Sequence, residues 1–204
     1  MRSPRAIAAF AAAVLAAWAT ADDPPEFFGR PIIERRVLFV LDHSKSMLSR
    51  LDGQTRQERL REEVDTILRA MDAYHYVDIH CFNDRLVTFR RELVPCNDQN
   101  RAEALAFLSE QTPRGRTATY DALKSALVEG LEQGVQRIVF VTDGEPTTGT
   151  VVDPAQILAR LRKQNERLEI PIDVLALDTS RYPARRAFLK QLAADHDGEF
   201  VELD

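Results

Sequence analysis

The sequence is short of several things, and each shortage excludes a class of protein. Two cysteines in 204 residues, Cys81 and Cys96, are too few for a scaffold built on disulfides. Positive charge is not in excess. With 27 basic and 32 acidic side chains the net charge is −5, which argues against a general nucleic-acid binder and its basic face. No Gly-x-Ser-x-Gly elbow marks a hydrolase nucleophile, and no Gly-rich loop ending in Lys-Ser/Thr marks a phosphate site. The histidines, His43, His75, His80 and His196, lack the spacing of a zinc site and are expected to be structural or exposed. Internal repeats, low-complexity linkers and coiled-coil heptads are missing too, so a single domain and a monomer are expected.

What is present begins with a leader. Arg2 and Arg5 precede an apolar run from Ala6 to Ala19, which ends in Ala19-Thr20-Ala21 ahead of Asp22-Asp23-Pro24-Pro25. A positive start, a short apolar middle and an Ala-x-Ala finish predict a secretory signal peptide over residues 1–21. The run is short of the ~20 apolar residues a spanning helix needs, so membrane contact is expected only if the segment stays uncleaved. The protein is expected to be exported, periplasmic or secreted. In that oxidising setting Cys81 and Cys96 could pair, but one lies inside a strand-like run and the other just past its hairpin partner. Two free, buried thiols are the expectation.

Residues 22–30 read as a lead-in without periodicity, and 31–204 as one domain. Val37–Leu41 and Ile138–Val141 are continuous apolar runs, the mark of strands covered on both faces. Further strands are predicted at Tyr76–Phe82, Leu86–Leu93, Ile172–Leu177 and Phe200–Leu203. Asn83-Asp84 supplies the tight turn of the single antiparallel pair. Between them lie helices. Leu60, Val64, Ile67, Leu68 and Met71 form one apolar stripe. A helix over about 99–109 turns Leu105 and Leu108 inward. Leu123, Leu127 and Leu131 make the stripe of a helix ending at Gly134. Asp153-Pro154 caps and opens another helix, with Ile157, Leu158 and Leu161 inward, and Pro183–Asp197 closes the set before Gly198. Alternating strands and helices predict an α/β fold: a doubly wound, mostly parallel six-stranded sheet with one antiparallel edge strand and helices on both faces.

Ligands of such sheets bind beyond the carboxyl ends of strands, where the winding reverses. The two most apolar strands run into Asp42-His43-Ser44-Lys45-Ser46 and Thr142-Asp143-Gly144-Glu145. Between them Gly115-Arg116-Thr117 leads into a helix. Asp42-x-Ser44-x-Ser46, the later Thr117 and the Asp143-Gly144 pair resemble the von Willebrand factor type A domain with its metal-ion-dependent adhesion site. The layout is most similar to exported bacterial proteins made of little more than this domain. The resemblance implies a Rossmann-like fold and a divalent cation held by Ser44 and Ser46. Thr117, Asp42 and Asp143 would bind it directly or through water. Oxygen-only donors agree, since they select hard cations: Mg²⁺ first, with Mn²⁺ or Ca²⁺ as options. The partner implied is a protein presenting a carboxylate, and the activity binding rather than catalysis.

Two positions depart from the family's common form, Lys45 and Arg116 standing where glycine is frequent. With Arg114 and Arg50 they would ring the cation with positive charge and steer acidic partners, or simply be solvated. Lys45 also keeps open a structural or interaction domain without bound metal; a metal-dependent hydrolase is the other alternative. Without metal, Asp42, Asp143, Ser44 or Ser46 would serve as helix caps. Asp121 is expected to stabilise the positive end of its helix, His43 to face away from the ion, and Glu145 has no assigned role.

Overall fold

A computed structural model describes residues 23–51 and 53–203 of the chain. The expected signal peptide, 1–21, lies outside the described residues. The chain enters the fold through a small antiparallel hairpin, β1 (Glu26–Phe27) and β2 (Arg30–Pro31). It falls in the segment read as a patternless lead-in. Phe27 is fully buried there, its ring edge-on to Phe39 at 5.3 Å. One aromatic anchors what periodicity could not detect.

The first long strand, β3 (Arg36–Asp42), leads through a 3-10 turn at Lys45–Leu48 and a short hairpin, β4 (Arg50–Leu51) and β5 (Gln54–Thr55), into α1 (Arg56–Ala70). Thr55 starts that helix with a reciprocal cap: its hydroxyl accepts from the Glu58 N–H at 3.1 Å while the Glu58 carboxylate accepts from the Thr55 N–H at 2.7 Å. Then come β6 (Tyr76–Phe82), β7 (Leu86–Thr88), β8 (Val94–Pro95), α2 (Asp98–Glu110) and α3 (Thr119–Gln133). The chain finishes with β9 (Arg137–Thr142), α4 (Pro154–Asn165), β10 (Ile172–Leu177), α5 (Pro183–Ala194) and β11 (Phe200–Leu203). Asp153 caps α4 by accepting from the Gln156 N–H at 2.9 Å, as its Asp-Pro start requires.

The main sheet runs β11-β10-β9-β3-β6-β7, with β8 also paired to β6. Every pair is parallel except those of β6 with β7 and β8. α1 and α2 pack on one face, over Phe39, Leu41 and Ile79; α3, α4 and α5 cover the other, over Leu38, Phe140 and Val174. The winding reverses between β3 and β9, whose carboxyl ends therefore stand side by side. Among the described residues, no helix is long and apolar enough to cross a membrane.

Three expectations need correction. The strand read as Leu86–Leu93 stops at Thr88 and β8 forms separately, so the main sheet has seven strands, two of them antiparallel, rather than six with one antiparallel edge strand. The cause is Asp78, buried in β6: its carboxylate accepts from the Arg90 and Arg91 N–H groups at 2.9 and 3.0 Å, and Arg91 takes a positive φ of 64°. Those amides turn onto a side chain and leave the ladder. Leu131 is 68% exposed, not part of the core stripe. Steps of four residues drift by about 40° each, and by Leu131 the stripe has rotated away from the sheet. Finally, α5 ends at Ala194, short of Asp197. Cys81 and Cys96 are unpaired and buried, and the Cys96 thiol donates to the Leu68 carbonyl at 3.4 Å.

Gly198 sits where β11 approaches β10. A Cβ there would lie 1.9 Å from the Ile172 carbonyl oxygen, a backbone atom with nowhere to go. Gly198→Ala is expected to lower stability by about 2 kcal/mol or more, read as a reduced urea midpoint. An unchanged midpoint would mean the β10–β11 approach is looser than described.

Candidate metal centre

The five residues singled out above come from three loops at the carboxyl end of the sheet. Asp42, the last residue of β3, is fully buried. Its Oδ1 accepts from the Ser44 N–H at 2.7 Å and its Oδ2 from the Thr142 hydroxyl at 2.6 Å. That second bond ties the end of β3 to the end of β9. The hydroxyls of Ser44 and Ser46 are 2.9 Å apart, and Ser46 Oγ donates to Asp143 Oδ1 at 2.7 Å. Oxygen contacts thus run from Ser44 through Ser46 to Asp143, and Asp42 is linked to them through the Ser44 backbone N–H.

Thr117 joins from the third loop. Its carbonyl accepts from the Thr147 and Thr148 N–H groups at 2.9 and 3.3 Å, and its N–H donates to Thr147 Oγ1 at 3.0 Å. The Thr117 hydroxyl lies beside Gly144, where a Cβ would meet it at 3.6 Å. Backbone bonds hold the loops together: the Lys45 N–H donates to the Gly115 carbonyl at 3.3 Å, and the Arg114 N–H to the His43 carbonyl at 2.9 Å. Gly115, at φ 68°, packs against the Asp84 carboxylate too closely for any side chain.

These positions match the demands of a small hard cation. Adjacent ligands of an octahedral ion with bonds of 2.0–2.1 Å stand about 2.9 Å apart; the Ser44–Ser46 pair is at 2.9 Å and the Ser46–Asp143 pair at 2.7 Å. The donors are all oxygen. None of the four acts as a helix cap through its side chain: Ser44 begins the 3-10 turn without a side-chain cap bond, and the carboxylates are engaged as described. His43 turns away, its ring against the Leu41 carbonyl and Gln57, and burial presses its pKa down to about 4. Glu145 is exposed. Asp121, in the first turn of α3, accepts from the Thr150 N–H at 2.7 Å and so also pins the loop after β9.

Of the two readings of the loop cations, the solvated one fits. Lys45, Arg114 and Arg116 are exposed, and Arg50 donates to the Gly53 carbonyl at 2.6 Å. The cation that reaches the centre is Arg56, first residue of α1. Its guanidinium donates to Asp143 Oδ2 at 2.5 Å, to the Ser46 carbonyl at 3.2 Å and to the Asp178 carboxylate. Arg185, from α5, donates to the Asp143 carbonyl at 2.7 Å. Asp178 had a readable signal, a carboxylate directly after an apolar strand. Arg56 and Arg185 had none.

Arg56 pairs with the carboxylates of Asp143 and Asp178, while Asp42 has hydrogen bonds but no ion-pair partner among the described residues. Burial, reinforced by the charge of Asp143, pushes Asp42 up to about 7. Without added cation, the folded state then keeps the Asp42 proton to higher pH than the unfolded chain does. Its effect is to make stability fall as pH rises from about 4 to about 7. In chelator, Asp42→Asn is expected to flatten this decline by roughly 1–3 kcal/mol, measured by urea unfolding at a series of pH values. Identical slopes for both proteins would show that Asp42 is ionised throughout.

Comparison with known proteins completes the picture. The family model described as von Willebrand factor type A domain matches residues 37–145, more than half of the chain. Inter-alpha-trypsin inhibitor heavy chain H4 of Bos taurus is 30% identical over 141 residues, 64% of this chain and 15% of that protein. The chain spans less than a fifth of the length of such relatives. Among solved structures, a von Willebrand factor type A protein from Catenulispora acidiphila superposes with a TM-score of 0.69 at 15% identity, over 84% of this chain and 39% of that one. Manganese-loaded TRAP protein of Plasmodium vivax gives 0.54 at 13% identity, over 81% and 67%. The matched span runs from β3 to Glu145, across all three loops, and the chain belongs to the von Willebrand factor type A domain family.

Proposed function

We propose that this domain is a binding module that works through a divalent cation, Mg²⁺ foremost. Ser44 and Ser46 would hold the ion directly, with Thr117, Asp42 and Asp143 binding directly or through water. The observation that carries the reading is the run of oxygen contacts from Ser44 through Ser46 to Asp143, with Asp42 tied to it through the Ser44 N–H. When bound, the ion supplies a positive charge with an exchangeable position, which suits a carboxylate on a partner protein. The family resemblance and the manganese-loaded structural neighbour support this choice of chemistry. Export is proposed on the leader at residues 1–21, and a monomer on the sequence reading above.

The chain's own residues define what such a site does. Asp42 and Thr142 fix the two strand ends, the serines present hydroxyls that add no charge, and Arg56 and Arg185 hold Asp143 in place. Catalysis finds little support here. His43, the imidazole of this loop, bonds to Leu41 and Gln57 rather than to either serine, so it is not placed to activate their hydroxyls.

One observation favours a second reading, a domain that holds no metal. Arg56 already sets a cation against Asp143, and a guanidinium can stand in for an ion structurally. The two readings part in a melting experiment. Millimolar Mg²⁺ or Mn²⁺ is expected to raise the Tm of the protein by about 3–10 °C, and Ser44→Ala or Asp42→Ala to abolish the rise. A protein indifferent to Mg²⁺, Mn²⁺ and Ca²⁺, yet destabilised by Arg56→Ala, would establish the metal-free reading. Ester or phosphoester turnover lost in Ser44→Ala would overturn both.

A further inference from the structure

A second cluster of ligand-type side chains lies away from the loops described above. Asp78 and His80 alternate along β6, so both point to the face covered by α3. Glu129, on the penultimate turn of α3, reaches down to them. Glu129 Oε2 is 2.8 Å from His80 Nε2, and Asp78 Oδ2 is 3.8 Å from the same nitrogen. One ligand atom from each of the three lies within 4.8 Å of the other two, the one such group among the described residues. Asp78 and His80 are four and two strand residues from Phe82, the register partner of Asp42, so the cluster sits about 7–13 Å along the strand from the oxygen centre.

The geometry points to a Zn²⁺ site formed by Asp78, His80 and Glu129, with water in the fourth position.

Unsatisfied polar atoms are the first argument. Glu129 is 7% exposed and His80 fully buried, yet Glu129 Oε1 and His80 Nδ1 have no hydrogen-bond partner among the described residues. A stranded buried polar atom costs about 1–3 kcal/mol; an ion on the His80 Nε2 side would give Glu129 Oε1 a partner as a second carboxylate donor, while His80 Nδ1 points away from it. The second is charge: two buried carboxylates face one imidazole, and even a protonated ring would leave them in excess.

Ligand spacing is the third. In a tetrahedral zinc site with bonds of 2.0–2.1 Å, adjacent ligands stand about 3.3 Å apart. The 2.8 and 3.8 Å separations bracket that value, and each needs to change by about half an ångström. Asp78 is already aimed, because the Arg90 and Arg91 amides hold its carboxylate from behind. An imidazole nitrogen among the donors disfavours Mg²⁺ and Ca²⁺, which take oxygen, and favours Zn²⁺. Access exists as well. A cavity of about 260 Å³, lined by Glu129 with Arg91, Ser125 and Glu132, reaches the cluster at Glu129, whereas Asp78 and His80 are fully buried and do not line it. The inference uses none of the residues of the oxygen centre and stands apart from the proposed function.

The test is equilibrium dialysis of the purified protein against Zn²⁺ in a large excess of Mg²⁺. One Zn²⁺ per chain is expected, retained in Ser44→Ala and weakened at least about tenfold in Glu129→Gln, the cost of losing even an outer partner of a ligand. Glutamine keeps the shape and a hydrogen bond to His80, so the variant folds; circular dichroism and Tm without metal check this. Should it fail to fold, X-ray absorption on the zinc-loaded wild type replaces it, with one imidazole and oxygen donors near 2.0 Å expected. No zinc retained against Mg²⁺, zinc lost in Ser44→Ala but kept in Glu129→Gln, or a spectrum without imidazole would each overturn the site.

Discussion

Two acidic side chains that repel one another stand at the ends of neighbouring parallel strands, and the upper part of the molecule is arranged to tolerate them. Asp42 and Asp143 are both buried, which is costly unless hydrogen bonds and positive charge offset it. The Ser44 amide, the Thr142 and Ser46 hydroxyls and the Arg56 guanidinium meet that cost from four directions. The loops between β3 and α1 and between α2 and α3 take their shape from serving this pair. Where the winding of an α/β sheet reverses, strand ends lie open and such a pair can be assembled without breaking the core.

Much of the fold was legible because hydrophobic runs report burial directly. β6, β10 and β11 fall where their patterns placed them, and the Asp153-Pro154 start of α4 is chemical punctuation that tertiary contacts do not override. Patterns failed where a single side chain redirected the backbone. The Asp78 carboxylate ends β7 early, and nothing around Leu86–Leu93 announces it. On α3 the tally of leucines extended past the real contact. There Gly130, not Leu131, faces the core, and a Cβ on it would come 2.5 Å from Ile170.

The candidate centre divides in the same way. Asp42, Ser44, Ser46, Thr117 and Asp143 follow or precede recognisable elements, and loop position together with the resemblance to the von Willebrand factor type A family brought them together. Arg56 meets Asp143 and Asp178 across 87 and 122 residues of chain, and only the folded sheet brings them together. His80 shows the limit most plainly. Its alternation with Asp78 was there to read, but Glu129 lies 49 residues away on a helix, and the four histidines looked unrelated to any ligand set. Neither strand nor helix spacing carries information about a pairing between the two.

The buried thiols have a practical side. Cys81 and Cys96 lie in the layer between the sheet and α1 and α2, and burial pushes both thiols above their usual range. In the native molecule they are neither accessible nor in the thiolate form that alkylating reagents attack. Opening the layer changes both conditions at once. Labelling kinetics at the two natural sulfurs therefore count excursions out of the folded state, with no engineered probe.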